Sequence, residues 1–276
     1  MSNWPILDGM VPVHLPVTYN SPPSYSQGSA SLATPTAWNT PTAWTELIAS
    51  TPFAVCGLLL SLSITPLYGY ADFAIGAAGS EQRIGVPIHN RNQHLIRRFL
   101  PIALPAGTRI SFRVAAVATG TASAQVGLVP QTSRAPVGYS RWAIYGHDEW
   151  ASNDGIPSIV TCDPGATTNT KGAWSEVVAS LPFTARFVTA LMANRLSSSN
   201  SGASSLFDIG TGAAGAESAV LRDVFLAHQG AIRQMAGEFS APIHIPAGSR
   251  VAIRSQCSTG GANLARLLGG WLAFGG

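Results

Sequence analysis

Leu60, Leu62 and Ile64 alternate with Ser61, Ser63 and Thr65. That period of two sends successive side chains to opposite faces of a half-buried strand. The runs Arg109-Ile110-Ser111-Phe112-Arg113-Val114 and Arg250-Val251-Ala252-Ile253-Arg254 alternate in the same way, each behind a Pro-Ala-Gly turn. In such a turn proline fixes one dihedral and glycine supplies a positive φ. The 19 Pro and 28 Gly stand as punctuation between short apolar runs, which predicts an all-β sandwich or barrel.

The chain repeats itself. Asn39-Thr40, Ala43-Trp44-Thr45-Glu46-Leu47-Ile48-Ala49-Ser50 and Pro52-Phe53 recur as Asn169-Thr170, Ala173-Trp174-Ser175-Glu176-Val177-Val178-Ala179-Ser180 and Pro182-Phe183. Asp72 with Gly76-Ala77-Ala78-Gly79-Ser80-Glu81 returns as Asp208 with Gly212-Ala213-Ala214-Gly215-Ala216-Glu217. Pro105-Ala106-Gly107-Thr108-Arg109-Ile110 with Arg113 returns as Pro246-Ala247-Gly248-Ser249-Arg250-Val251 with Arg254. Three blocks in one order, with spacings that lengthen along the chain, predict two homologous domains whose loops differ in length. Residues 18–130 are assigned to the first and 139–276 to the second, with 131–138 as linker and 1–17 as an extended amino-terminal arm. At this size an eight-stranded jelly-roll-like β-sandwich is expected in each. Pro5, Pro12, Pro16, Pro22 and Pro23 oppose helix and favour an extended path for the arm and the residues just after it. Such an arm can reach a neighbouring subunit or form a first strand.

Composition narrows the class. Of 276 residues, 46% are hydrophobic and 11% charged, which excludes disorder. Mean hydropathy is +0.21, yet the most apolar window, Phe53 to Ile75, holds Ser61, Ser63, Thr65, Pro66 and Asp72. A spanning helix needs about 20 nearly unbroken apolar residues, so no membrane insertion is expected. Net charge is +3, and among the lysines and arginines all but Lys171 are arginine, scattered with no stripe along one element. Nucleic acid is not an expected partner. Cys56, Cys162 and Cys257 lack metal-ligand spacing and read as buried free thiols. Met1 to Leu15 has no Lys or Arg and no continuous apolar core, so synthesis and maturation in cytoplasm are expected rather than secretion.

Candidate chemistry is sparse. Gly210-Thr211-Gly212-Ala213-Ala214-Gly215 fits a dinucleotide fingerprint and follows the strand-like Ser205-Leu206-Phe207. The other repeat has Ala74 in place of the first glycine, and Gly85 and Pro87 interrupt what would have to be a helix. A hairpin loop is therefore the simpler reading. Glu46, Asp72, Glu81, Arg109 and Arg113 match Glu176, Asp208, Glu217, Arg250 and Arg254. Retained in a chain this poor in charge, they predict internal ion pairs and anchored loops, against an alternative of paired carboxylates doing acid–base work. No nucleophile, histidine or metal cluster accompanies them in both repeats, so no catalytic residue, cofactor or metal is expected. His147-Asp148-Glu149 reads as an exposed loop. Tyr139, Trp142, Tyr145 and Trp150 form an aromatic group suited either to stacking on sugar rings or to covering an interface. Between Arg83 and Arg98 the first repeat carries Arg83, His89, Arg91, His94, Arg97 and Arg98 with no acid; Arg91, Arg97 and Arg98, with Trp4 and Pro5 of the arm, are candidate assembly contacts.

Asn169 to Glu176, Asp208 to Glu217 and Ile245 to Ala252 resemble small β-domain virion proteins encoded among the structural genes of tailed bacteriophages. The resemblance covers both repeats; the first departs from it at Ala74 and Leu104. It implies a structural, non-catalytic role in the virion, as a head decoration protein or a neck, tail or baseplate subunit. It also implies a homo-oligomer that contacts other virion proteins. A carbohydrate-binding adhesin that recognises host glycans through the aromatic group is the alternative.

Overall fold

A computed structural model describes residues 28–34, 41–64, 69–85, 88–90, 96–116, 119–131, 138–145, 158–164, 166–195, 204–227, 234–258 and 265–275. Repeat 1 contains β1 (Gly28–Thr34), β2 (Thr45–Ile48), β3 (Val55–Ile64), β4 (Gly69–Ile75), β5 (Gln82–Arg83), β6 (Ile88–Asn90), β7 (Ile96–Leu100), β8 (Ile110–Ala116) and β9 (Gly120–Pro130). Repeat 2 contains β10 (Arg141–Tyr145), β11 (Ser158–Thr161), β12 (Ser175–Val178), β13 (Ala185–Arg195), β14 (Ser204–Thr211), β15 (Ser218–Ala227), β16 (Gln234–Ile245), β17 (Val251–Cys257) and β18 (Ala265–Gly275). No helix occurs among the described residues.

Strand order defines a jelly roll twice. The first repeat has a β1-β9-β3-β7 sheet and a β2-β8-β4-β5 sheet, with β6 also on β4. The second has β10-β18-β13-β16, with β11 also on β18, and β12-β17-β14-β15. Every named pairing is antiparallel. Among the described residues each repeat has nine strand segments where eight were expected, because one strand is divided. In repeat 1 the division falls between β5 and β6, which both pair with β4. In repeat 2 it falls between β10 and β11, which both pair with β18.

The alternation in the sequence sets the core. Leu58, Leu60 and Leu62 on β3 and Ala122, Ala124, Val126 and Leu128 on β9 are buried. They face Phe73 and Phe112, whose ring centroids are 6.3 Å apart on the opposing sheet. In the second core Val188 and Ala190 lie with Phe207, Ile209, Val251 and Ile253. The Gly-Ala-Ala-Gly segments are hairpin turns, with φ of 109° and 84° at Gly76 and Gly79 and 123° and 81° at Gly212 and Gly215. Side-chain-bearing residues rarely adopt those angles.

The two repeats are joined at one edge of the first. Tyr139 donates its N–H to the Pro101 carbonyl (2.9 Å) and accepts from the Ala103 N–H (2.8 Å). A parallel bridge links Ile102 to Tyr139. The Trp142 indole N–H donates to the Arg83 carbonyl at the β5 edge (3.0 Å). Trp142, Phe274 and Phe187 lie side by side across β10, β18 and β13, and Tyr139 packs on the last two at centroid distances of 6.1 and 6.4 Å. Phe274 is fully buried among residues of the first core. The outer face of the β10-β18-β13-β16 sheet thus seats on the β5 and β7 edge of repeat 1.

Candidate interaction surface

The duplicated charges assemble into two matching clusters. Arg109 donates from Nε to Glu46 (3.0 Å) and from Nη1 to Glu81 (3.2 Å) and the Gly76 carbonyl (3.2 Å). Glu81 in turn accepts from the Gly79 N–H at 2.9 Å. Arg250 repeats the set with Glu176 (2.7 Å), Glu217 (2.7 Å) and the Gly212 carbonyl (3.4 Å). Each arginine therefore ties the short second strand of its repeat to the glycine turn, so the fork geometry of guanidinium serves loop anchoring. A second pair lies on the same sheets. Arg113 bonds Asp72 (2.8 and 3.0 Å) and stacks over Trp44 at 4.5 Å; Arg254 bonds Asp208 (2.8 Å) and stacks over Trp174 at 4.5 Å. The two tryptophans were visible in the repeat, but their pairing with arginine was not.

Gly210, the first glycine of the apparent fingerprint, has a packing reason. A Cβ there would stand 2.6 Å from Trp174 Cη2, so glycine leaves room for the ring. The segment that a nucleotide-binding reading would require as helix is strand β15.

The repeats differ where the only lysine enters. Lys171 bonds Asp208 (2.7 Å) and Asp223 (2.9 Å), and its counterpart in the first repeat is Pro41. Burial works to raise the Asp208 carboxyl, but bonds from Lys171, the Asp223 N–H and Arg254 outweigh it and hold the group below its ordinary value. At Asp72 burial wins over the neighbouring Arg113 and Arg83 and pushes the carboxyl up. The signs are opposite. A depressed carboxyl stabilises above the ordinary aspartate range and loses that contribution as pH falls through its folded value. A raised one favours the fold most at low pH and loses that contribution as pH rises through its folded value. On acidification from neutral, amide protection corrected for intrinsic exchange is expected to fall at β14 and β17 before it falls at β4 and β8. The reverse order would contradict this assignment.

The remaining candidates fall in several places. Trp142 is partly buried in the junction, and Tyr145, on the opposite face of β10, packs against the second core, where burial raises its phenol. The two rings do not form one platform. Trp4, Pro5, Arg91, His147, Asp148, Glu149 and Trp150 lie outside the described residues. Arg97 and Arg98 occupy β7, in register with Ser61 and Leu60. The three cysteines are buried free thiols, and burial pushes Cys162 up to about 12. Among the described residues no group of three or more His, Cys, Asp and Glu is placed to hold a metal ion, and no helix is long and apolar enough to cross a membrane.

An apolar pair missed in the sequence stands on the outer face of the β1-β9-β3-β7 sheet. Leu59 is 44% exposed and its cross-strand partner Phe99 is 38% exposed. The signal was present: Leu58-Leu59-Leu60 breaks the alternation and must send one leucine outward. Around the pair are exposed Ser29, Ser31, Thr121, Ser123 and Gln125, with Ser31 and Ser123 hydroxyls 2.8 Å apart.

No protein-family model matches the chain, and no curated protein does. Among solved structures it is similar to the CBM22-1-CBM22-2 tandem domain of Paenibacillus barcinonensis Xyn10C, with 8% identity, a TM-score of 0.29, and coverage of 84% of this chain and 82% of that one. PNGF-II gives 8% identity and 0.46, over 91% of this chain and 65% of that one. Broad bean stain virus gives 10% and 0.34, over 96% and 94%. Likeness at this level carries no argument about activity or partner, and the assignment as tandem all-β jelly rolls rests on the strand order.

Proposed function

We propose that the chain is a structural subunit of a tailed-phage virion, a head decoration protein or a neck or tail appendage, which works by assembly and not by catalysis. The observation that carries this reading is the outer face of repeat 1, which leaves Leu59 and Phe99 uncovered beside the exposed Ser29, Ser31, Ser123 and Gln125. Serine, threonine and small apolar groups are desolvated at lower cost than charges, and an apolar pair inside such a face suits burial against protein. The duplicated arginine–carboxylate clusters support the same reading, because their hydrogen bonds are made within each repeat and hold its turns. Repetition on a particle converts weak contacts into firm attachment.

The arm is the second element of the proposal, as the part that reaches a neighbour. Deleting residues 1–25 is expected to leave both repeats folded by circular dichroism while lowering the amount of chain recovered on purified particles. Unchanged occupancy would overturn the role of the arm. Glycan binding by the isolated protein, with none of it on particles, would overturn the virion reading in favour of an adhesin.

A further inference from the structure

We propose that copies of this chain associate head to tail: the outer face of the β1-β9-β3-β7 sheet in one molecule seats on the β15 and β16 edge of the next. This rests on the assembly reading and deepens it. The interface would repeat between molecules the junction that already exists within each one.

The internal junction has two sides, and both have an uncovered counterpart. On the face side, β13 corresponds to β3, so the junction row of Trp142, Phe274 and Phe187 corresponds to a row through Val129 and Gly57. A Cβ on Gly57 would collide with the Phe99 ring. An aromatic ring therefore lies over the first repeat at the position Phe187 takes in the second, supplied by the neighbouring strand. The next row in repeat 2 pairs Thr189 with Ser240, hydroxyl to hydroxyl at 2.9 Å. The same row in repeat 1 is Leu59 with Phe99. Repeat 1 thus has an apolar pair where repeat 2 has a polar one, on a face that no described part of the chain covers.

On the edge side, Pro101 and Ile102 of repeat 1 correspond to Pro242 and Ile243. Ile102 is fully buried at the junction, whereas Ile243 is half-buried and Pro242 exposed. Arg83, whose carbonyl receives Trp142, corresponds to Ala219, and beside Ala219 the exposed Val220 sits where the β14–β15 register shifts. Further along β15, Phe225 is exposed as well. Among the described residues the exposed large apolar side chains are Leu59, Phe99, Val220 and Phe225. Two lie on the uncovered face, Val220 lies at the uncovered edge beside Ala219, and Phe225 lies further along the edge strand β15, in register with Leu206. Because face and edge are different surfaces, the contact is heterologous and continues into a ring or a filament.

The test uses the full chain in two variants, Leu59→Glu with Phe99→Glu on the face and Val220→Glu with Phe225→Glu on the edge. All four positions are exposed, and circular dichroism and thermal melting confirm folding; serine replaces glutamate if either pair fails to fold. Mass is read by light scattering against concentration. The wild type is expected to exceed the 28.7 kDa of one chain, each variant alone to stay at one chain, and an equimolar mixture to form two-chain complexes that grow no further. If the edge variant alone keeps the wild-type mass, the face pairs with itself and the proposal falls. If both variants keep it, another occupant such as residues 1–27 makes the contact and the proposal falls. In these two outcomes assembly itself survives, so the virion-subunit reading stands. A wild type at one chain at every concentration overturns head-to-tail association, and the presence of the chain on particles then judges the virion reading separately.

Discussion

Phe274→Ala is expected to destabilise the protein by about 3–5 kcal/mol, the range for truncating a buried aromatic side chain, and to uncouple the two repeats. Phe274 belongs to β18 of the second repeat, yet its ring is buried with the first core, 5.9 Å from Phe187 and 6.1 Å from Tyr139. Its removal leaves a cavity between the repeats and takes support from Trp142, its cross-strand neighbour. Scanning calorimetry is the measurement. The wild type is expected to unfold in one cooperative transition and the variant in two, because the packing that makes one repeat depend on the other has been opened. Phe207→Ala, placed in the second core alone, provides the comparison: a similar loss confined to the second repeat. A single transition in Phe274→Ala with a loss below about 1 kcal/mol would show that the junction contributes little.

Asp208→Ala is expected to cost about 3 kcal/mol, toward the lower end for breaking a buried ion pair, since Arg254 remains partly exposed to water. Asp208 is 2% exposed and accepts from Lys171, Arg254 and the Asp223 N–H. Removing it takes an acceptor from three donors at once, leaves Lys171 with Asp223 alone, and frees the guanidinium that stacks on Trp174. Chemical denaturation measures the loss. The counterpart in the first repeat gives a differential: Asp72 is fully buried with its carboxyl pushed up. Asp72→Asn is therefore expected to cost less than Asp208→Asn, because asparagine removes a buried charge that the first repeat accommodates poorly. Equal losses would contradict the difference assigned to Lys171.

Much of the architecture was legible because repetition acts as an internal comparison. The matched blocks locate equivalent turns, and the alternation of Leu60 and Leu62 with Ser61 and Ser63 is enough by itself to orient β3 with its leucines inward. The paired charges pointed to ion pairs within each repeat, and the geometry brings Glu46, Glu81 and Arg109 together just as it brings Glu176, Glu217 and Arg250 together. What stayed hidden depends on contacts distant in sequence. The stacking of Arg254 on Trp174 joins residues far apart in the chain, and the reason for Gly210 is a ring from the flank of β12 that no local motif reveals. The Gly57 and Phe99 exchange is similar: one strand lacks a side chain and its neighbour supplies one. The aromatic residues around Trp142 stood out as a group, but which ring turns toward the junction and which toward the second core follows from the strand pleat.

That this chain is a structural part of a virion is tested most directly by immunogold labelling of intact particles from the source. Labels are expected at a defined position on the head, neck or tail, repeated from particle to particle. Particles free of label, with the chain recovered only apart from them, would contradict that role.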